Sequence, residues 1–267
     1  MLAQQRQAQI LEQVRLRGAV RVAELVAEFA VSDMTVRRDL ETLARRGLLD
    51  KVHGGATVLA DSSTDEPGFE VKSARERGEK LAIARRAASL VRPGQAIGLS
   101  AGTTTWTMAR ELLTVPRITV VTNSLHVAEV LYDGGTADQT IVLTGGIRTP
   151  SDALVGPVAI ESLRSLNLDT VFLGTHGMDA RSGFTTPNLM EADTNRALIA
   201  SARRLVVVAD HTKWGVVGIS TMATFDQADA LITDTGLAQR ARNELTDHGV
   251  EVTLADAVLP AEPVADR

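Results

Sequence analysis

The sequence predicts an α/β chain in two parts, a small helical unit at the N-terminus followed by a larger domain built on an open parallel sheet. Three features predict it. Two amphipathic helical patterns meet across a very short turn within residues 22–45, a polar stretch broken by proline and glycine follows at 59–75, and beyond it short β-rich runs alternate with helical ones. The length of 267 residues suits one small and one medium domain, and 44% hydrophobic with 23% charged residues excludes a disordered chain.

Composition removes several function classes. Without cysteine there are no disulfides, zinc thiolates or thiol catalysis. No apolar run reaches the roughly 18 to 20 residues of a membrane span, and Met1–Arg17 carries no signal-peptide block, so a cytoplasmic protein without membrane association is expected. The net charge of −5 is unevenly placed: residues 1–60 hold nine Lys/Arg against seven Asp/Glu, the remainder nineteen against twenty-six. The basic excess is N-terminal but small, so any case for nucleic acid must rest on the pattern of residues.

Ile10, Leu11 and Val14 share one helical stripe, and Gly18 ends that helix before Val20. Val22, Leu25, Val26 and Phe29 repeat at helical spacing, and after the turn Ala30-Val31-Ser32 the pattern resumes with Val36, Leu40 and Leu43. Ser32 can cap the second helix by accepting a backbone N–H, and so short a turn is the helix-turn-helix geometry that presents one helix to a major groove. Burying Val36, Leu40 and Leu43 turns Met34, Arg38 and Arg45 outward, with Thr35 and Arg37 on the flanks. The arginine fork suits guanine O6 and N7 or a phosphate, and Thr35 can reach either. A merely solvated face is the alternative; Arg37 stands four residues before Glu41, the spacing of an ordinary surface ion pair.

Gly47 is expected to end that helix, and residues 48–58 read as two short strands around a Gly54-Gly55 turn, a wing whose Lys51 and His53 can lie along a phosphate backbone. His53 is equally suited to being a turn residue. The expected DNA contacts are therefore Ser32, Met34, Thr35, Arg37, Arg38, Lys51, His53 and Gly54, in a winged helix-turn-helix domain over 1–58.

Arg6, Ile10, Val20, Glu24-Leu25, Phe29, Val31-Ser32, the run Thr35-Val36-Arg37-Arg38-Asp39-Leu40, Leu43, Gly47 and His53-Gly54-Gly55-Ala56 together resemble the DNA-binding region of the DeoR family of transcription regulators. The run and its spacing to the Gly-Gly wing are specific.

Asp61-Ser62-Ser63-Thr64-Asp65-Glu66-Pro67-Gly68 marks a linker, taken as 59–75. The second domain is set at 76–258, with a disordered tail at 259–267. Its strand runs are Ala96–Leu99, Ile118–Val121, Thr140–Leu143, Thr170–Leu173, Leu205–Val208 and Ala230–Ile232, with helices expected at Leu81–Leu90, Thr105–Leu113, Leu125–Leu131 and Glu191–Ala202. Small polar residues follow the strands: Ser100 to Thr105, Thr122-Asn123-Ser124, Thr144-Gly145-Gly146 with Arg148, Gly174 to Asp179, and Asp210-His211-Thr212-Lys213. The carboxyl ends of parallel strands form the ligand crevice, and Gly102-Thr103-Thr104-Thr105 opening a helix offers N–H groups and a positive helix end to an anion. Each segment alone could be only a helix cap. Gly102, Thr103, Thr104, Thr105, Asn123, Ser124, Gly145, Gly146, Arg148 and Lys213 are the candidate anion contacts.

The resemblance to the DeoR family continues through Ser100–Thr105, Thr119–Ser124, Thr144–Gly146, Gly177-Met178-Asp179, Glu191-Ala192 and Asp210–Lys213. It implies a sugar-phosphate-sensing domain similar in fold to ribose-5-phosphate isomerase, adds Asp179 and Glu191 to the expected effector site, and implies a repressor of a sugar-use operon. Two departures stand out: the family commonly has Asp-Ser where this chain has Ser100-Ala101, and Ser where Thr212 precedes the lysine.

The competing expectation is a sugar-phosphate isomerase or deaminase carrying a DNA-binding domain, with Asp179, Glu191, Asp210 and His176 as candidate acids and bases. No nucleophile, metal-ligand set or acid–base pair is recognisable, so no catalytic residue, metal or cofactor is assigned. The expected partners are operator DNA, a phosphorylated sugar and further copies of the chain, as a dimer or tetramer, because half-sites are read in pairs.

Overall fold

In the computed structural model the described residues are 3–17, 19–46, 48–52, 54–57 and 68–256. The chain divides into two compact units between residues 62 and 63.

The first unit runs α1 (Ala3–Arg17), β1 (Ala19–Arg21), α2 (Val22–Phe29), α3 (Asp33–Arg45), β2 (Asp50–Val52) and β3 (Gly55–Thr57). Ile10, Val14, Leu25, Val36, Leu40 and Leu43 are buried together with Val20 and Leu49, so the periodic residues form one small core. Ala30, at φ 51°, makes the tight exit from α2, and the Ser32 hydroxyl accepts the Thr35 N–H at 3.2 Å as the cap of α3. Sequence periodicity missed β1, whose three residues are too few to show alternation. β1 pairs with β3, and a side chain on Gly55 would lie 2.1 Å from the Val20 carbonyl. Gly55 is thus a strand residue needed for close approach and not half of a Gly54-Gly55 turn, while Gly54 stands in the turn; His53 and Gly47 lie outside the described residues.

In the second unit, the stretch read as linker carries a helix, α4 (Phe69–Ala74). It escaped notice because it has fewer than two turns and sits among polar residues, yet the Phe69 ring packs edge-on against Trp106 and face-on against His126. The tail at 259–267 lies outside the described residues. There follow α5 (Arg77–Ala88), β4 (Ala96–Leu99), α6 (Thr103–Glu111), β5 (Thr119–Thr122), α7 (Leu125–Gly134), β6 (Thr140–Leu143), β7 (Ile147–Arg148), β8 (Leu154–Val155), α8 (Pro157–Leu163) and β9 (Thr170–Gly174). The chain continues with β10 (Gly177–Asp179), β11 (Gly183–Thr186), α9 (Leu189–Ala200), β12 (Leu205–Val208), β13 (Ser220–Ala223), β14 (Ala230–Asp234), α10 (Gln239–Asp247) and β15 (Glu251–Ala255).

Seven strands form one sheet in the order β15-β14-β12-β9-β4-β5-β6, each pair parallel. All six expected strands are present. The seventh, β15, is half exposed and charged at its start, which hides it from a search for apolar runs. One apolar cluster, with Ile83, Met108, Leu112 and Val127, covers one face; another, with Leu163, Phe184, Leu198 and Leu245, covers the other. The small antiparallel sheet β10-β11-β13 and the hairpin β7-β8 were not legible in the sequence, since strands this short are defined by their partners. The first strand of the sheet, β4, leads rightward to β5 and β6, whereas β9, β12, β14 and β15 lie to its left. The sheet therefore reverses direction between β4 and β9, the place where open α/β sheets bind ligands at their carboxyl edge.

Among the described residues no helix is long and apolar enough to cross a membrane.

Candidate functional site

The outward face of α3 is built as its periodicity requires. Met34 is 76% exposed, and Arg38 is exposed without an ion-pair partner among the described residues. Arg37 is also exposed, but it pairs with Asp33 one turn earlier rather than with Glu41, and that contact raises its pKa. Glu41 instead faces Lys51 of β2 at a loose 3.8 Å. Ser32 and Thr35 share a hydrogen bond between their hydroxyls at 2.9 Å, which locks the first turn and leaves Thr35 only partly exposed. Gly54, exposed at φ 80°, turns the wing.

Asp39 was not singled out as a functional residue, and the structure shows what it does. It is buried, takes Arg6 Nε at 2.6 Å on one oxygen and Gln7 Nε2 at 2.8 Å on the other, and so bolts α1 across the inner face of α3. A charged residue at an inward position of an amphipathic helix was the signal available in the sequence.

At the carboxyl edge of the large sheet, the predicted anion contacts separate into groups. The amide groups at the start of α6 belong to the first turn, where no intrahelical acceptor exists. Thr103 and Thr104 are buried, and their hydroxyls donate to no group among the described residues. Thr105 differs: its hydroxyl donates to the Ser100 and Gly102 carbonyls at 2.7 and 2.9 Å, so it closes the loop instead of facing a ligand. Asn123 is likewise occupied, accepting the Ala101 N–H at 2.8 Å and donating to the Leu154 carbonyl at 3.2 Å. Ser124 caps α7 by accepting the Val127 N–H at 3.2 Å.

Glu191 holds structure together too. One carboxylate oxygen accepts the hydroxyls of Ser151 at 2.5 Å and Thr149 at 3.2 Å, and the other accepts Thr186 at 3.1 Å. Asp179 accepts the N–H groups of Arg181 and Ser182 and turns the β10–β11 hairpin at its far end. Arg148 is ion-paired with Asp152.

Lys213 follows β12, two strands to the left of β4, whereas Gly145 and Gly146 follow β6, two strands to its right. At about 4.8 Å per strand these groups are roughly 19 Å apart, too far for one phosphate to touch both. The structure adds two residues beside Lys213 that the sequence did not single out. Lys80, on α5, is buried and donates to the Lys72 and Arg75 carbonyls, both at 2.6 Å. Burial pushes its pKa down to about 8, Asp210 pulls it up and Lys213 pushes it down. Glu76, in the left-handed region at φ 48°, has its carboxyl pushed up by burial and by the carboxylates of Glu79 and Asp210. Asp210 uses one oxygen to hold Thr212, through its N–H and its hydroxyl, while its buried Oδ2 has no hydrogen-bond partner among the described residues. Two lysines around a half-satisfied carboxylate form an electrostatic cluster that no linear motif announces, since its members come from positions 76–80 and 210–213.

Comparison with known proteins agrees in both units. Residues 6–62 match the model of the DeoR-like helix-turn-helix domain, and residues 75–235 match that of the DeoR C terminal sensor domain. An uncharacterized HTH-type transcriptional regulator, YgbI of Escherichia coli K12, is 36% identical over 96% of this chain and 99% of its own length. The glycerol-3-phosphate regulon repressor of the same organism is 34% identical over 94% of this chain and 98% of its own. Among solved structures, ribose 5-phosphate isomerase from Methanocaldococcus jannaschii aligns with a TM-score of 0.37 at 18% identity, covering 51% of this chain and 53% of the other.

Proposed function

The chain belongs to the DeoR family of transcription regulators, and from that premise we propose that it is an operator-binding repressor whose grip on DNA is set by a phosphorylated sugar or polyol in the crevice of its second unit. The observation that carries the effector half is the start of α6. Its N–H groups and the free hydroxyls of Thr103 and Thr104 stand where the sheet reverses, the geometry that attracts a dianion. Lys213 and Lys80, two strands away, are placed for the far end of a ligand longer than one phosphate. Gly145, Gly146 and Arg148 shape the opposite wall, while Asn123, Ser124, Thr105, Glu191 and Asp179 hold the crevice in shape.

The DNA half rests on α3. Arg38 and Met34 are the free outward groups for base edges, with Ser32, Thr35, Arg37, Lys51 and Gly54 suited to the backbone; His53, assigned there by the sequence, lies outside the described residues. One recognition helix per chain reads one half-site, so a homodimer or a multiple of it is the working form, in the cytoplasm with its DNA. The chain is a regulator and not an enzyme. Its relatives are named as transcriptional regulators, and the carboxylates of Glu191 and Asp179 are already committed to hydroxyls and backbone N–H groups.

The test is a thermal-shift screen of the full chain against phosphorylated and unphosphorylated forms of the same sugars and polyols, glycerol 3-phosphate included. A ligand selective for the native state raises the melting temperature by mass action. The reading expects a phosphorylated compound to stabilise, to alter operator affinity, and to lose both effects in Thr104→Ala and Lys213→Ala while operator affinity without ligand persists. Sustained turnover of the ligand would establish an enzyme instead.

A further inference from the structure

His126, in the first turn of α7, touches both the β7–β8 hairpin and α4. Its Nε2 lies 2.9 Å from Asp152 Oδ2 in the β7–β8 hairpin, and its ring stacks on Phe69 of α4 with centroids 3.8 Å apart. Asp152 holds a left-handed backbone at φ 63°, an unfavourable place for a residue with a side chain, so the hairpin turn is a conformation its contacts maintain. Arg148, then His126, hold the Asp152 carboxyl below its ordinary value against burial, so at neutral pH it is ionised and accepts a hydrogen bond from the imidazole N–H. The other titratable group facing His126 is Glu129, 3.9 Å from Nδ1 and mostly exposed.

The hairpin is also tied to the crevice. Asn123 joins the loop before α6 to Leu154 through Ala101, and Ser151 and Thr149 join it to Glu191. On the other side, α4 is the first described element after the division between residues 62 and 63, where the chain passes from the DNA-binding unit. A shift of the loop before α6 therefore has a bonded route to α4 through His126, beside the direct contacts that α4 makes with Trp106 of α6 and Lys80 of α5.

We propose that His126 is the positioning residue that conveys occupation of the crevice to α4: through Asp152 it follows the hairpin, and through Phe69 it moves the segment leading to the DNA-binding unit. This rests on the crevice being the effector site.

The chain has no cysteine, so Glu70→Cys places a single environment-sensitive fluorophore on an exposed position of α4. The probe ligand is inorganic phosphate, its binding followed separately by thermal shift. Two variants divide the joint: His126→Phe keeps an aromatic stack and loses the hydrogen bond to Asp152, and His126→Gln keeps a donor and loses the stack. Both should bind phosphate within about threefold of the parent while the label's response falls at least about fivefold, the lower end of ordinary allosteric coupling. A parental label response in either folded variant would overturn the inference. Phosphate that stabilises the parent without any change in the label would overturn it as well and leave the crevice reading standing. A parent stabilised neither by phosphate nor by any phosphorylated sugar or polyol of the screen above would remove the crevice reading and this inference together. If either variant does not fold, Phe69→Leu removes the same stack from the α4 side, and a parental response there counts equally against it.

Discussion

The Ser100 hydroxyl accepts the Gly174 N–H at 2.9 Å, joining the carboxyl ends of β4 and β9 across the point where the sheet reverses. Ser100 stands where the family commonly has aspartate, so here a neutral acceptor performs the stitch and leaves the crevice without that negative charge. Ser100→Ala should cost about 1 kcal/mol of stability, the ordinary value of one hydrogen bond, read from the denaturant midpoint. Ser100→Asp should keep the acceptor but weaken the binding of phosphorylated ligands, and equal affinity for them in Ser100→Asp and the parent would contradict the placement of the anion beside this loop.

Asp39→Ala should be far more damaging than its position on a DNA-binding helix suggests. It strands Arg6 as a buried, unpaired charge, an effect worth about 3 to 5 kcal/mol. The loss should be seen in calorimetry of the full chain as early melting of the first unit, and operator binding should fail with it. A variant that melts like the parent would show that the pair contributes little.

Arg38→Ala should cost about 1 to 3 kcal/mol on operator DNA and little on random DNA, since a free guanidinium on the outward face is suited to a base edge. Arg37→Ala should cost less, because Asp33 already competes for that side chain. Lys51→Ala should weaken both DNAs alike and make the salt dependence of binding shallower. Competition titrations at several salt concentrations separate the three cases.

Lys80 imposes opposite pH trends on stability and anion binding. Burial lowers its pKa to about 8 in the folded chain against 10.5 ordinarily. Between those values the unfolded state binds more protons, so this group's contribution to stability increases as pH rises through the window, and below about 8 its penalty is fully present. Anion affinity should instead fall as pH rises through about 8, when Lys80 gives up its charge. The phosphorylated sugar or polyol found by thermal shift, long enough to reach Lys80, is the ligand to titrate, from about pH 7.5 upward where its phosphate is already mostly a dianion. Lys80→Arg should flatten the dependence, and an affinity for that ligand that is already flat in the parent would sever Lys80 from the site.

Local pattern was enough for the recognition helix and for most of the sheet. Val36, Leu40 and Leu43 had to face inward once α3 existed, which turned Met34 and Arg38 outward; the central strands were legible because strands buried on both faces read as continuous apolar runs, and the half-exposed edge strand β6 carries a similar run. The strand ends were legible for a related reason, since small polar residues mark where such a run leaves the core. Their division of labour was not. Thr104 and Thr105 are neighbours of identical type, yet the path of the loop before α6 brings the Ser100 and Gly102 carbonyls to the Thr105 hydroxyl and none to that of Thr104.

Periodicity reports which side of an element is buried, and that much the sequence by itself determined, together with the two-part architecture and the family. What each polar side chain meets depends on residues far away in the chain. Lys80 feels the charge of Asp210 from a distant part of the chain, and Arg6 and Asp39, like Phe69 and His126, acquire their roles from partners that only the fold brings within a few ångströms, the range over which hydrogen bonds and ring contacts act.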